Sequence, residues 1–372
     1  MPFAAYIGGN YASFTEAAVE AGIIVSIQQI PITILGADTV GTAVIPTSVV
    51  ESRTAIFYTG VFGGKSQTST IAGNDHVHAT VETTSPTELT ATRGLANASV
   101  ELLVMATVVE FTAAAVDSVQ QFTFTYSGLS ATDTQITSVD TARSVALLCG
   151  TRSNNTGFAN GSAMADIDLT NATTVTSTRG TNPGTNDITV AYNVIEFAVG
   201  IVDSVQKFNI SITSAVATTA DAIISSVDLT RSCIFPGGFA TNQTTTNMSS
   251  ETCHGRLFSD SAVRAERQVV GSAQPRVAGT VVEFAPGIIQ SVQRNIVTHA
   301  GGSLTQDTAV TSITPSLSVV VANGAGSSAT QTADPEEQHF RFEIIDATTI
   351  RSTKGQGGRN IIYPFELVEY AA

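Results

Sequence analysis

Tryptophan is absent from this 372-residue chain, and charge is scarce: Asp, Glu, Lys and Arg together make up 13% of it. That is about half the usual share for a soluble protein. The polar surface must therefore be built from Ser, Thr, Asn and Gln. A Thr-rich, β-branched composition favours sheet and leaves edge strands thinly defended by charge, which suits a chain that works inside an assembly. Basic residues number 17 against 31 acidic ones, for a net charge of −14. Duplex binding needs clustered Lys and Arg to displace counterions. No such cluster occurs, which argues against nucleic acid and against anionic membrane surfaces. No stretch reaches the 18 or so apolar residues of a membrane-spanning helix. The N-terminus, MPFAAYIGGNYASFTEAAVEAG, lacks the basic and apolar regions of a signal peptide, so synthesis in a cytoplasm is expected. Cysteine is limited to three residues.

What the chain does have is a repeat. The string S-(V/I)-Q begins at Ser26, Ser118, Ser204 and Ser291, at intervals of 92, 86 and 87 residues. A second marker, (V/I)-E-(F/Y), places Glu110, Glu196, Glu283 and Glu369 at intervals of 86, 87 and 86. Between them lie TSVVESRTAIFYTG (47–60), TSVDTARSVALLCG (137–150), SSVDLTRSCIFPGG (225–238) and TSITPSLSVVVANG (311–324). A further string ends in Arg93, Arg179, Arg267 and Lys354. The phase gives an N-terminal segment 1–22 and four copies, 23–111, 112–197, 198–284 and 285–372.

Each copy reads as strands. Phe122, Phe124 and Tyr126 alternate with Gln121, Thr123 and Thr125, as do Phe208, Ile210 and Ile212 in copy three and Ile30, Ile32 and Ile34 in copy one. Period two with one apolar face is a half-buried strand. A second strand runs through Val145–Leu148 and is expected to end at Gly150. Five or so strands in about 87 residues predict a small β-sandwich, immunoglobulin-like or similar. The joints, such as TAAAVD (112–117), are short and apolar. The expected object is all-β and elongated: four tandem domains in a rod or curved string.

Candidate chemistry is thin. His76 and His78 sit two apart on one strand face, a zinc-chelating spacing without an evident third ligand. His254 adjoins Cys253, with Cys233 20 residues earlier. This allows a Cys-Cys-His site, a Cys233–Cys253 disulfide, an interchain bond or plain thiols. Cys149 is alone in its copy, so a crosslink through it would need another copy or chain. KGQGGRN (354–360) reads as a hairpin loop rather than a phosphate cradle. Glycosidase chemistry needs two carboxylates flanking one bond. Here a single Glu recurs in every copy, so Glu110, Glu196, Glu283 and Glu369 are read as structural, paired with Arg93, Arg179, Arg267 and Lys354. No catalytic, cofactor or metal site is assigned, and no enzyme is expected.

The strings SVQQFTFTYSG…ITSVDTARSVALLCG (118–150), ADIDLTNATTVTSTRG (165–180) and TVAYNVIEF (189–197) resemble repeated β-modules of virion structural proteins of tailed bacteriophages. The resemblance implies a non-enzymatic element of a tail fibre, neck, collar or capsid decoration. It implies homo-oligomeric assembly, as trimers in fibres, and residence in the virion after synthesis in the host cytoplasm. It also implies that the first 22 residues dock on other virion proteins through Phe3, Tyr6, Tyr11 and Phe14. A receptor- or glycan-binding adhesin on the same scaffold is the alternative. Copy three departs most from the pattern, and a specialised contact is expected there.

Overall fold

A computed structural model of the chain describes residues 22–64, 78–96, 101–128, 131–154, 164–180, 187–213, 215–242, 252–322, 324, 326–327, 340–355 and 360–372. The proposed docking residues Phe3, Tyr6, Tyr11 and Phe14 lie outside them, as does His76.

Each copy supplies six strands in the same order, and copy four adds a short seventh. Copy one has β1 (Ile24–Ile34), β2 (Val40–Val44), β3 (Thr54–Gly64), β4 (Ala79–Ser85), β5 (Glu88–Arg93) and β6 (Glu101–Phe111). Copy two has β7 (Val116–Ser127), β8 (Ala131–Gln135), β9 (Ser144–Ser153), β10 (Ala165–Asn171), β11 (Thr174–Arg179) and β12 (Asp187–Phe197). Copy three has β13 (Val202–Ser211), β14 (Thr219–Ile223), β15 (Ser232–Thr241), β16 (His254–Ser259), β17 (Ala262–Glu266) and β18 (Pro275–Phe284). Copy four has β19 (Ile289–His299), β20 (Thr305–Ala309), β21 (Ser318–Ala322), the short β22 (Gly326–Ser327), β23 (Phe340–Asp346), β24 (Thr349–Lys354) and β25 (Ile361–Tyr370).

The strands do not form tandem sandwich domains in a row. Sheets pass from one copy into the next. β7-β12-β9 of copy two continues into β4-β5-β2 of copy one, and β13-β18-β15 of copy three into β10-β11-β8 of copy two. β1-β6-β3 of copy one continues into β23-β24-β20 of copy four, which closes the ring. The remaining sheets, β19-β25-β21 with β22, and β14-β17-β16, meet through one residue pair, His254–Gly324. By hydrogen bonding there are five sheets, set as the blades of a β-propeller around one axis; by sequence there are four repeats. Within each copy the two three-stranded halves curl toward each other like a half-barrel over a core of their own.

This corrects both the immunoglobulin-like tandem and the elongated rod, and with them the resemblance to a virion fibre module. The chain exposes 14739 Å². One compact body of this mass should expose about 14,000 Å², and four separate bodies of a quarter the mass about 20,000 Å². The first and last described residues also meet: Gly22 lies against Ala371 and Ala372. Short apolar joints do not make a rod here, because they turn the chain around a shared core.

That core holds one set of residues from every copy. The aromatics of the (V/I)-E-(F/Y) marker, Phe111, Phe197, Phe284 and Tyr370, form a closed pinwheel. Neighbouring ring centroids lie 6.0, 5.5, 6.2 and 6.5 Å apart, each pair edge to face. Such pairs contribute about 0.5–1.5 kcal/mol each beyond their burial. A second tier adds Ala55, Val145, Cys233 and Val319, and a third Phe57, Leu147, Phe235 and Val321. The second and third tiers each take equivalent positions of the strands β3, β9, β15 and β21.

The copies join at glycines. Gly60, Gly150, Gly238 and Gly324 pair with Arg341, Thr80, Asp166 and His254 of a neighbouring copy. All four have positive φ, from 95° to 132°. A Cβ at any of them would fall on a backbone carbonyl of the adjoining strand, at Phe340, Ala79, Ala165 or Cys253. Only glycine fits such a backbone and such an approach. Gly150 therefore does not end its strand as expected; β9 bulges there and runs on to Ser153.

Candidate functional site

The recurring polar residues hold each copy together. The Gln of each S-(V/I)-Q string clamps the backbone at the start of the next marker. Gln28 donates to the Thr47 carbonyl at 2.9 Å and accepts from the Thr47 N–H at 2.8 Å. Gln120 does the same at Thr137, Gln206 at Ser225 and Gln293 at Thr311.

The recurring glutamates do not pair with Arg93, Arg179, Arg267 and Lys354. Glu110, Glu196 and Glu283 pair with Arg53, Arg143 and Arg231, at 2.7, 2.8 and 2.6 Å. Leu317 stands at that position in copy four, where Glu369 instead accepts from the Thr314 N–H at 2.7 Å and the Ser291 hydroxyl at 3.0 Å. The other basic set is 1% exposed in all four copies. Arg93 donates to the carbonyls of Asp38 and Leu35, Arg267 to those of Ala217 and Ala273, and Lys354 to that of Ala300. Arg179 lies over the Tyr126 ring. A buried cation needs such partners, and turn carbonyls provide them. The sequence spacing could not separate the two arrangements, since both basic residues recur with the same period.

The crosslinking cysteines are overturned too. Cys149, Cys233 and Cys253 are free thiols, each at most 1% exposed. Cys233 lies in the axial core and Cys253 in the core of copy three. Cys149 donates to the Ile56 carbonyl at 3.3 Å. Burial pushes all three thiols up, Cys253 to about 12, which suppresses the reactive thiolate. His254 turns to Glu266 at 3.2 Å rather than to a cysteine. Among the described residues no group of three or more His, Cys, Asp and Glu gathers as a metal would require.

Two hollows remain. The first lies on the axis, with a volume of about 160 Å³. Phe57 and Phe235 touch across the axis beneath it, with centroids 5.7 Å apart. Leu147 and the smaller Val321 fill the other two quadrants. The walls are mostly apolar and come from all four copies. Here the copies diverge. Val61, Thr151 and Phe239 follow the junction glycines, and His78, Met164 and Thr252 lead into the adjoining strands. The scaffold repeats, and the lining does not.

The second hollow, of about 120 Å³, lies where copy two meets copy one and is lined mostly by polar side chains of β4, β7 and β12. Neither hollow was legible in the sequence, because each draws on residues far apart in the chain. A scan of protein families finds no match to the chain, and neither does a search of curated proteins.

The axis has two unlike ends. The pinwheel closes one, beside Gly22 and Ala372. The other carries the cavity, beyond which β3 and its equivalents lead toward segments outside the described residues.

Proposed function

We propose that the chain is an adhesin-type recognition module that binds a receptor or glycan and works by binding rather than by catalysis. The observation that carries this reading is the axial cavity. Four copies keep the same glycines and clamps, and three keep the same ion pair, yet they place different side chains around one shaped apolar hollow. A structural bead would have no need of that asymmetry, whereas ligand pockets are concave, mostly apolar and fixed by a rigid frame. The recurring glutamates are engaged by arginines, hydroxyls and backbone amides, which leaves them poor candidates for acid–base chemistry. The ring covers its inner faces within one chain, so a second copy is not needed to complete the core. Gly22, the first described residue, lies at the pole opposite the cavity, beside Ala371 and Ala372.

The test is binding of the labelled full chain to an array of surface glycans and to intact cells. The expected result is saturable binding that Val321→Phe, which fills the cavity floor, abolishes while the ring still melts cooperatively. Absence of saturable binding to any surface, or binding untouched by Val321→Phe, would overturn the reading.

A further inference from the structure

The open sheet edges of the four copies are built alike but guarded differently. Each copy ends a sheet with a five-residue strand that has no further strand beyond it among the described residues: β2, β8, β14 and β20. In copy one the Thr39 carbonyl accepts from the Arg93 N–H at 2.9 Å, and the Ile45 N–H donates to the Thr87 carbonyl at 2.8 Å. Thr42 stands opposite Thr90 in the same register. The odd-numbered residues of β2 therefore bond inward to β5, and Val40, Thr42 and Val44 turn their backbone N–H and C=O groups outward. The same alternation turns Ala131, Asp133 and Gln135 outward on β8, Thr219, Asp221 and Ile223 on β14, and Thr305, Asp307 and Ala309 on β20.

Three of these edges carry an exposed aspartate at the centre: Asp133, Asp221 and Asp307. The fourth carries Thr42, between Val40 and Val44, and all three are exposed, Val44 at 73%. An open edge is a template for another strand, and an outward charge is a common guard against it. The centre matters because of symmetry. When two copies of one strand pair antiparallel about a twofold axis, the central residue faces itself. Aspartate there sets two carboxylates opposite each other, which destabilises the pair. Thr42 instead sets two threonines opposite each other, a favourable cross-strand pair.

We propose that two copies of this chain pair through β2, antiparallel and centred on Thr42. Thr42 then faces Thr42 of the second copy, and Val40 faces Val44 on either side of it. Each facing pair exchanges both of its outward backbone hydrogen bonds, and the valines join into one apolar stripe across the two copies. The carboxylates of Asp38 and Glu88 belong to the ends of the paired stretch rather than its centre, since Asp38 precedes β2 and Glu88 pairs with Val44. The other three edges are barred from the same pairing by their central aspartates. Five residues a side bury less than the roughly 800 Å² per partner of a stable interface, so the dimer is weak, with a Kd on the order of 10–100 μM. The core of the ring is complete in one chain, so pairing joins monomers that are already folded.

The experiment is sedimentation velocity on the full chain, over a concentration series that brackets this Kd. A reversible monomer–dimer equilibrium is expected. Thr42→Asp installs the residue that β8 carries. Thr90 and Thr84 already make the hydroxyl pair, at 3.0 Å, that Thr176 and Thr170 make beside Asp133, at 3.1 Å, so the variant monomer should melt unchanged. Thr42→Asp and Val44→Lys should each weaken the dimer by about tenfold or more. Ile223→Lys, the equivalent change on the guarded edge β14, should leave it intact. A chain that stays monomeric throughout the series overturns the pairing. So does a dimer indifferent to Thr42→Asp and Val44→Lys, or one that Ile223→Lys weakens as much as Val44→Lys does. Each of these outcomes leaves the recognition reading untouched, because that reading stands on the cavity.

Discussion

The two ends of the axis are built from equivalent positions of the same four copies, yet they differ in kind. At the closed end the four copies place near-identical aromatics, and the result is a packed, nearly fourfold pinwheel. At the cavity end they place Val61, Thr151 and Phe239 at matching positions and leave a hollow. Repetition at one end gives cohesion, because identical rings in a closed circle each find an edge-to-face partner on both sides. Divergence at the other end gives shape.

The comparison can be broken most directly by truncating one ring at each end. Phe197→Ala should cost about 3–5 kcal/mol, since Phe197 is fully buried and touches Phe111, Phe235 and Phe284. Phe239→Ala, half-buried beside the cavity, should cost about 1 kcal/mol. Equal costs in denaturant titrations would show that the two ends share the load. Gly150→Val attacks the junction between the copies. Its φ of 109° and the Ala79 carbonyl at its Cβ position should together cost roughly 3 kcal/mol. A wild-type unfolding midpoint for this variant would refute the tight junction. Gln206→Ala removes one of four equivalent clamps and should lose about 1–2 kcal/mol, with Gln120→Ala matching it closely.

A pH response is expected at the cavity end. Asp166 is buried beside Gly238, and burial pushes its carboxyl up to about 6 despite the opposing attraction of Arg276 at 2.7 Å. In the unfolded chain it titrates near 3.8. Between those values the folded state holds a proton that the unfolded state has released. Stability should therefore fall as the pH rises from about 4 to about 6 and then level off. The change should be at most about 3 kcal/mol, read as the difference between the native chain and Asp166→Asn. A pH profile unaltered by Asp166→Asn would remove this carboxyl from the account.

Much of the local structure was legible. The alternation of Phe122, Phe124 and Tyr126 marks β7, and the spacing of Glu110, Glu196, Glu283 and Glu369 marks the last strand of every copy. The partners of those strands were not legible. Glu110 could have faced Arg53, just before β3, or Arg93, at the end of β5, since each has counterparts in other copies at nearly the same spacing. Gly150 looked like a strand end because glycine usually weakens a strand, whereas here it admits a neighbouring strand. The three cysteines suggested a crosslink by spacing alone, but all three thiols are buried.

The sequence by itself determined that the chain is a fourfold repeat of β-strands with a shared set of Gln, Glu, Arg and Gly positions. Those features are local and periodic, and a strand needs little more than its own alternation to declare itself. Only the tertiary structure decided that the copies close into a ring, that their aromatics meet on one axis and that two unlike hollows are left between them. Ring or rod depends on the angle at which each copy meets the next. That angle is set by backbone approach at four glycines and by packing between residues hundreds of positions apart, which no local pattern encodes.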